Sequence, residues 1–265
     1  MQGWLKSDKT EKCPYCGKEL HYLYMTVMGR NIAEHLEQCD CLGAVRERKK
    51  NLNARREEER REAEMRLKAK IDELYRRSKI GRRFIEKSFD NFQATPDNAA
   101  ALQAARDYAE RFELYAEKGL GLMFHFEGYG TGKTHLACAI ANHLIREKQV
   151  GVIFGNTASL FSDLRELDDI APMLEELKRV DLLIIDDLGK ERPTEWVAEK
   201  TYEIINSRYE NLKPIIVTTN MTTAEIANHL GKVGGATVSR ISEMCRAVMV
   251  GGPDMRQKNG WGCRK

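Results

Sequence analysis

The chain has 265 residues, 42% hydrophobic and 31% charged, with 43 Lys plus Arg set against 40 Asp plus Glu for a formal charge of +3. That length holds one large domain or two and buries a sizeable core, and the near-balance of charge confines any nucleic-acid binding to local patches. No run approaches the roughly 18 apolar residues of a membrane span, and the polar start MQGWLKSDKTEK is unlike a secretory signal. The expectation is a cytoplasmic protein with no membrane partner.

Four of the seven cysteines, Cys13, Cys16, Cys39 and Cys41, fall in the first 41 residues, while Cys138, Cys245 and Cys263 are scattered. Cys13-Pro14-Tyr15-Cys16-Gly17 reads as a zinc knuckle, whose turn aims backbone N–H groups at thiolate sulfur. Cys39-Asp40-Cys41 supplies two more thiolates, completing a closed tetrahedral site of the structural kind. A unit of about 40 residues with few apolar side chains needs such a staple. His21 and His35 are alternative ligands, because Cys39 and Cys41 are separated by a single residue. A redox CxxC pair is disfavoured, since it wants a thioredoxin-like βαβ context. Residues 1–42 are therefore expected to be a zinc-binding domain.

Residues 43–83 are expected to be a charged helical linker, with runs such as RREEERRE and no Pro. Leu67, Ile71 and Leu74 recur at helical spacing, which suits a solvated spacer or short coiled coil. A basic face of Arg46, Arg48, Lys49, Lys50, Arg55 and Arg56 that contacts DNA is the competing reading.

From residue 84 to 265 the pattern becomes α/β. Strand-like runs at Gly121 to Phe126, Val150 to Phe154, Leu182 to Ile185, Ile215 to Thr218 and Ala247 to Val250 alternate with helical stretches, including Thr134 to Glu147 and Trp196 to Tyr209. Thr222 to Glu225 reads as a capping box opening a further helix. Short apolar strands separated by helices predict a parallel sheet covered on both faces. Lys258 to Lys265 reads as a short tail.

Gly128, Tyr129, Gly130, Thr131, Gly132, Lys133, Thr134 and His135 follow the first of those strands and open a helix, the context of a phosphate-binding loop. The glycines let the backbone curl so that its N–H groups converge on phosphate oxygens, and the helix N-terminus adds positive potential. Lys133 is expected to neutralise the β and γ phosphates, and Thr134 to ligate Mg²⁺. The full G-x-x-x-x-G-K-[ST] pattern expects glycine where this chain has Glu127, so that side chain must point away and Gly128 must take the turn. Fifty-three residues after Lys133, a buried strand ends in Asp186 and Asp187. Asp186 suits Mg²⁺ and Asp187 the orientation or deprotonation of water. Asn220, after the next strand, is placed either to position the lytic water or to cap a turn. Arg240 is either an exposed helix charge or a finger reaching a neighbouring subunit's phosphate.

The ordered set GTGKTHLACAIANHLI, LLIIDDLGKE, VTTN and SRISEMC resembles the helicase-loader group of AAA+ ATPases, which includes DnaC, DnaI and the related IstB transposition helpers. The likeness covers about residues 82 to 257. It implies an AAA+ P-loop domain with a five-stranded parallel sheet, a lacking or truncated lid, and nucleotide at the strand tips. Position by position it makes Lys133 and Thr134 Walker A, Asp186 and Asp187 Walker B, Asn220 sensor I, and Arg240 an arginine finger acting in trans. Phe89 and Phe92 match the stretch near the adenine, and Arg256 is a candidate late contact. Asp187 stands where many AAA+ proteins have Glu, which suits a slow, assembly-stimulated ATPase. The implied function is ATP-dependent loading of a DnaB-type hexameric helicase onto single-stranded DNA, with ATP, Mg²⁺ and Zn²⁺ as cofactors and self-assembly on ATP binding. In that picture the zinc unit docks the helicase, while Phe161 and Arg165 read first as ordinary helix residues and second as DNA contacts by stacking and charge. The alternative is an IstB-like ATPase regulating a transposase on duplex DNA; a small-molecule kinase ranks last.

Overall fold

The computed structural model describes residues 4–27 and 30–258, so Cys263 and most of the expected C-terminal tail lie outside the described residues. The chain divides into two units, Met1–Lys68 and Ala69–Lys265.

The first unit carries a three-stranded antiparallel sheet in the order β1-β2-β3, formed by β1 (Leu5–Lys12), β2 (Glu19–Val27) and β3 (Arg30–Leu36). The sequence shows no sign of β1, which reads LKSDKTEK and is exposed along nearly its whole length. Strands of this kind lack the in–out alternation that sequence reading depends on. The buried side chains here are Cys13, Leu20, Cys39 and Ala44, with Leu36 and Cys41 packed against them. Half of that small core is cysteine, which leaves little apolar surface to hold the sheet.

Helix α1 (Leu42–Ser78) follows. It stops where the Ser78 hydroxyl donates to the Tyr75 carbonyl at 2.8 Å and accepts the Ile80 N–H at 3.3 Å, with Lys79 in the left-handed region at φ 57°. Past Ala69, its Ile71, Leu74 and Tyr75 pack against the core of the second unit. Two of the three apolar residues at helical spacing are therefore core contacts.

The second unit opens with three helices, α2 (Arg82–Ile85), α3 (Ala99–Glu110) and α4 (Phe112–Ala116). Strands and helices then alternate: β4 (Gly121–His125), α5 (Lys133–Lys148), β5 (Val152–Asn156), α6 (Thr157–Glu166), α7 (Ala171–Arg179), β6 (Leu182–Leu188), α8 (Glu195–Glu210), β7 (Ile215–Thr219), α9 (Thr223–His229), α10 (Gly234–Met244) and β8 (Cys245–Met249). Among the described residues, the only helix after β8 is α11 (Met255–Lys258). The five strands pair in parallel in the order β5-β6-β7-β4-β8.

Alternation inside the strands explains the layers. Phe124, Leu182, Ile184 and Ile216 enter one buried cluster with Leu136 and Ile140 of α5. Their neighbours Met123, Leu183, Ile185, Ile215 and Val217 enter the other, with Leu164, Leu177 and Ile204 of the helices on that side. Each such side chain contributes about 1.5–3 kcal/mol by leaving water. A sheet apolar on both faces fits only between two helical layers, and its exposed edge of strand tips is left to carry chemistry.

Candidate functional site

A cleft of about 600 Å³ opens beside the loop between β4 and α5. The loop's shape is set by its glycines. Gly130 and Gly132 hold φ of 68° and 107°, and a Cβ on Gly132 would meet the Phe92 ring at 2.6 Å. A side chain on Gly130 would collide with the Asp254 carboxylate, and the Met255 N–H donates to the Gly130 carbonyl at 3.1 Å. The turn is therefore hemmed in from both sides, and only glycine meets both conditions. Glu127 is exposed and does not line the cleft, as expected of a carboxylate beside a phosphate site.

Lys133, at the start of α5, is buried, and its ammonium donates to the carbonyls of Gly128 at 2.8 Å and Phe126 at 3.2 Å. Burial is the main reason its pKa falls to about 8; Asp187 and Asp186 pull it back up, while Lys190 and Arg256 add to the fall. Around it, Arg83, Lys87, Lys190 and Arg256 also line the cleft, and Asp187 is the one carboxylate among the lining residues described. Five cations against one acid select an anionic ligand.

The two acids end β6 in different environments. Asp186 is buried and accepts from the Thr134 hydroxyl at 2.8 Å, the Thr218 hydroxyl at 2.7 Å and the Asn156 amide at 3.4 Å. Burial raises its pKa most, the neighbouring Asp187 charge adds to the rise, and the hydroxyl and amide donors oppose it. Asp187 instead lines the cleft. Consecutive strand residues ordinarily face opposite sides; here the register between β6 and β7 slips after Ile185, and Asp187 adopts φ 58°. Such an irregularity re-aims a side chain. Lys190 pairs with Asp187 Oδ2 at 2.7 Å and lies 5.4 Å from the centre of the exposed Tyr129 ring.

Asn220 follows β7 and lines the same cleft. Its buried Oδ1 has no hydrogen-bond partner among the described residues, which fits an acceptor meant for a ligand or its water. His135 also lines the cleft, with Nε2 donating to the Ser88 carbonyl at 2.9 Å and its ring edge-on to Phe92 at 5.2 Å. Burial lowers its pKa, so it serves as a neutral strut. Asn142 donates to the carbonyls of Phe84 and Lys87, and Arg146 to that of Ile85. These bonds from α5 fix residues 84–92 along the cleft, where Phe84, Asn91, Phe92 and Gln93 form a wall.

The structure thus brings Gly130, Thr131, Gly132, Lys133, Thr134, His135, Asp187, Asn220, Tyr129 and Arg256 to one cleft, with Asp186 directly behind Thr134. Gly128 contributes the carbonyl that Lys133 caps. Phe89 is buried against His143 and Arg106, away from the lining. Arg240 is elsewhere, on α10: it donates to Asn206 Oδ1 at 2.6 Å and lies over the rings of Tyr202 and Tyr209. Phe161 is buried among core side chains, so it offers no face to a base, and Arg165 is engaged by Thr194 and the Trp196 ring. Sequence reading passed over Thr218, Asn156 and Lys190. The signal for the first two was present, a polar side chain ending or interrupting an otherwise apolar strand.

In the first unit the sulfurs of Cys13, Cys16, Cys39 and Cys41 all lie within 4.8 Å of one another. A tetrahedron with metal–sulfur bonds of about 2.3 Å has edges of about 3.8 Å, and the Cys13–Cys41 and Cys16–Cys39 separations are 3.8 and 3.5 Å. The set can hold a metal. Gly17, at φ 73°, lets the knuckle turn, and its N–H donates to the Cys13 carbonyl at 2.9 Å. The N–H of Tyr15 leads in drawing the Cys13 thiol down to about 7. Cys16 moves the other way, to about 12: the Lys18 N–H lowers it, but the crowded sulfurs, Cys39 first, and burial outweigh that bond. Neither histidine joins the cluster, since His21 Nδ1 bonds to the Ser7 carbonyl and His35 packs edge-on to Trp4.

A family model described as IstB-like ATP binding protein matches residues 54–261. The chain is 32% identical over 190 residues to the uncharacterized protein YqaM of Bacillus subtilis (strain 168), a match covering 68% of this chain and 59% of that protein, less than two thirds of its length. It is 30% identical over 171 residues to the replicative helicase loader DnaC of Escherichia coli (strain K12), covering 62% of this chain and 67% of that one. Among solved structures, the DnaC helicase loader matches with a TM-score of 0.58 at 29% identity, covering 64% of this chain and 100% of that chain. DnaI matches with a TM-score of 0.59 at 26% identity, covering 67% and 95%. With a five-stranded parallel sheet, a glycine-rich phosphate loop and a family match over most of its length, the chain belongs to the IstB-like ATP-binding proteins, the AAA+ family of the DnaC and DnaI helicase loaders.

Proposed function

We propose that this protein is an ATP-dependent loader of a DnaB-type hexameric helicase onto single-stranded DNA, with ATP binding driving assembly and hydrolysis driving release. The observation that carries the nucleotide half of this reading is the 2.8 Å bond from Thr134 to Asp186 beneath a cleft lined by five cations. Thr134 and Asp186 are the residues that would hold Mg²⁺, which offsets phosphate charge when bound. Lys133 and the loop N–H groups bind the β and γ phosphates. Asp187 and Asn220 orient the attacking water, with Asp187 as the proton acceptor. Arg240 lies outside its own cleft, which suits a cation offered to a neighbouring subunit, so turnover depends on assembly.

The cysteine unit supports the loader reading through its chemistry: four thiols closing on one centre make a structural Zn²⁺ site and hence a rigid docking module. In this reading residues 1–42 engage the helicase, 43–83 act as a linker, and 84–265 form the ATPase core. The similarity to the DnaC and DnaI structures favours this function, while the IstB-like family description keeps a transposase regulator on duplex DNA as the second reading.

The test is co-elution with a DnaB-type helicase of the same source under light scattering, with and without ATP and a single-stranded oligonucleotide. A stoichiometric complex, lost on deleting residues 1–42, is expected. Absence of a complex together with nucleotide-dependent filaments on duplex DNA would move the function to the second reading. Arg240→Ala is expected to spare ATP binding and abolish assembly-stimulated hydrolysis; equal loss of both would make Arg240 a packing residue.

A further inference from the structure

Helix α1 begins one residue after Cys41, and the cysteine cluster fixes how it starts. The Ala44 N–H donates to Cys41 Sγ at 3.5 Å, Ala44 is buried against the cluster, and Arg48 Nη1 donates to the Cys39 carbonyl at 2.7 Å. The first turns of this helix are therefore held by the sulfur centre.

Those turns carry an unusual distribution of charge. Residues 46–56 contain six cations, Arg46, Arg48, Lys49, Lys50, Arg55 and Arg56, and one acid, Glu47. Residues 57–64 then hold five glutamates and two arginines. Farther along, acids are interspersed with the cations and three pairs form, Arg60 with Glu64, Arg66 with Glu62 and Arg76 with Glu73. Among the described residues, Arg46, Lys49, Lys50 and Arg56 have no such partner, and all four are exposed. Arg48, by contrast, is engaged by Cys39 and Asp40.

These four cations share a side, whereas Arg55, also exposed and without an ion-pair partner among the described residues, stands half a turn from Arg46 on the opposite side. Arg46, Lys49, Lys50 and Asn53 stand at i, i+3, i+4 and i+7 and line one shallow concavity with Ala54, closed at its far end by Glu57. Arg56 flanks them. Like charges three and four residues apart repel one another, so the arrangement costs helix stability unless an anion spans it. The side from Arg46 to Asn53 carries no apolar or aromatic side chain of the kind that anchors a protein partner; the exposed Val45 and Leu52 lie on the flank. From Arg46 to Arg56 the helix rises about 15 Å, a length over which one strand of duplex DNA carries about four phosphates.

We propose that the Arg46–Lys49–Lys50–Arg56 side of α1 binds the phosphodiester backbone of nucleic acid. This contact is independent of ATP and separate from the nucleotide core. It goes beyond the loader reading and does not need it, because the phosphate backbone is the ligand whatever the helicase does.

The experiment uses the full chain, zinc-replete and without nucleotide. Fluorescence anisotropy measures binding of a 30-nucleotide single strand and of the matching duplex between about 50 and 200 mM salt. The variant is Arg46→Gln/Lys49→Gln/Lys50→Gln/Arg56→Gln, with Arg46→Lys/Lys49→Arg/Lys50→Arg/Arg56→Lys as the charge-conserving control. The neutral variant is expected to bind at least about tenfold more weakly at the lowest salt, and its log-affinity against log-salt slope to fall by about 3, the counterion release of four contacts. The control keeps both affinity and slope, and both variants keep wild-type metal content and ATP binding. Loss on either DNA form supports the proposal, and the stronger loss identifies the preferred backbone. Unchanged affinity and slope would overturn it. So would unchanged DNA binding with loss of helicase co-elution, which would assign the face to an acidic protein surface. A wild-type chain that binds oligonucleotide but no helicase leaves this proposal standing while removing the loader reading.

Discussion

Thr218 gives its hydroxyl hydrogen to Asp186 Oδ1 at 2.7 Å and takes the backbone N–H of Asp187 at 2.9 Å, so one fully buried side chain of β7 holds both acids at the end of β6. The slip in register after Ile185 leaves Asp187 without its regular ladder position, and the Thr218 oxygen accepts the N–H instead. A hydroxyl is required here because it donates and accepts at once.

Thr218→Val keeps the shape and removes both bonds. It is expected to destabilise the fold by about 1.5–3 kcal/mol, the range for a hydrogen bond to a charged group. It should also lower kcat for ATP hydrolysis by about 10- to 100-fold, with little change in the KM for ATP, because phosphate binding by Lys133 is untouched. Thr218→Ser restores turnover. If the valine variant hydrolyses ATP normally, the hydroxyl only fills space.

Asp186 sets stability against activity. Burial and the charge of Asp187 raise its pKa above the ordinary carboxylate range. A carboxyl raised in the folded state stabilises the fold at low pH, and that contribution is lost as pH rises through the folded value. At neutral pH the ionised group is therefore a net burden on the fold. Asp186→Asn is expected to melt at or above the wild-type temperature at about pH 7.5, with the difference shrinking as pH is lowered through the raised carboxyl's range, while ATP hydrolysis is abolished. A variant less stable at neutral pH and equally so at low pH would mean that the three hydrogen bonds outweigh the burial.

Much of the second unit was legible in the sequence, because its signals are local. LLIID and PIIVTT are apolar runs with abrupt polar ends, and GYGTGKT follows a strand and opens a helix. The capping box at Thr222 and Glu225 is present with both of its bonds. What escaped was whatever depends on register or distant pairing. The two acids could be given separate roles from their order, but the register slip after Ile185 that turns Asp187 into the cleft while Asp186 stays behind it has no sequence signature. Nothing in the spacing of Ser88, Phe92 and His135 announced that a helix would pin a segment more than 40 residues upstream as a wall of the cleft. In the first unit β1 was hidden because a strand that is exposed along almost its whole length has no apolar face to print a period of two. The cysteines were legible there, since metal-ligand spacing does not depend on a core.

Lys133 should couple ATP binding to protons. Its pKa is drawn down to about 8, chiefly by burial, so a substantial fraction of it is neutral in mildly alkaline solution. A triphosphate against the ammonium favours the charged form. Titration calorimetry in two buffers of different ionisation enthalpy should therefore show uptake of more than about half a proton per ATP at about pH 8.5, and close to none at about pH 7. Equal uptake at the two pH values would mean that the lysine is fully charged before the nucleotide arrives.

The first unit should stand or fall with its metal. Its buried set is Cys13, Leu20, Cys39 and Ala44, far too little apolar surface to hold a three-stranded sheet unaided. Four thiolates on one ion would replace that missing core and tie the β1–β2 turn to the start of α1. Protein prepared without chelator is expected to carry about one zinc per chain. Stripping it with a mercurial and EDTA should expose all four thiols to a thiol reagent together and open residues 4–41 to protease. The nucleotide core, which buries two full clusters of its own, should keep its ATP affinity and its melting transition. Cobalt restored to the stripped protein should give the intense visible absorption of a tetrahedral thiolate site. Metal-free protein whose first unit resists protease as the native chain does would show that the antiparallel sheet holds itself, and the four cysteines would then need another explanation.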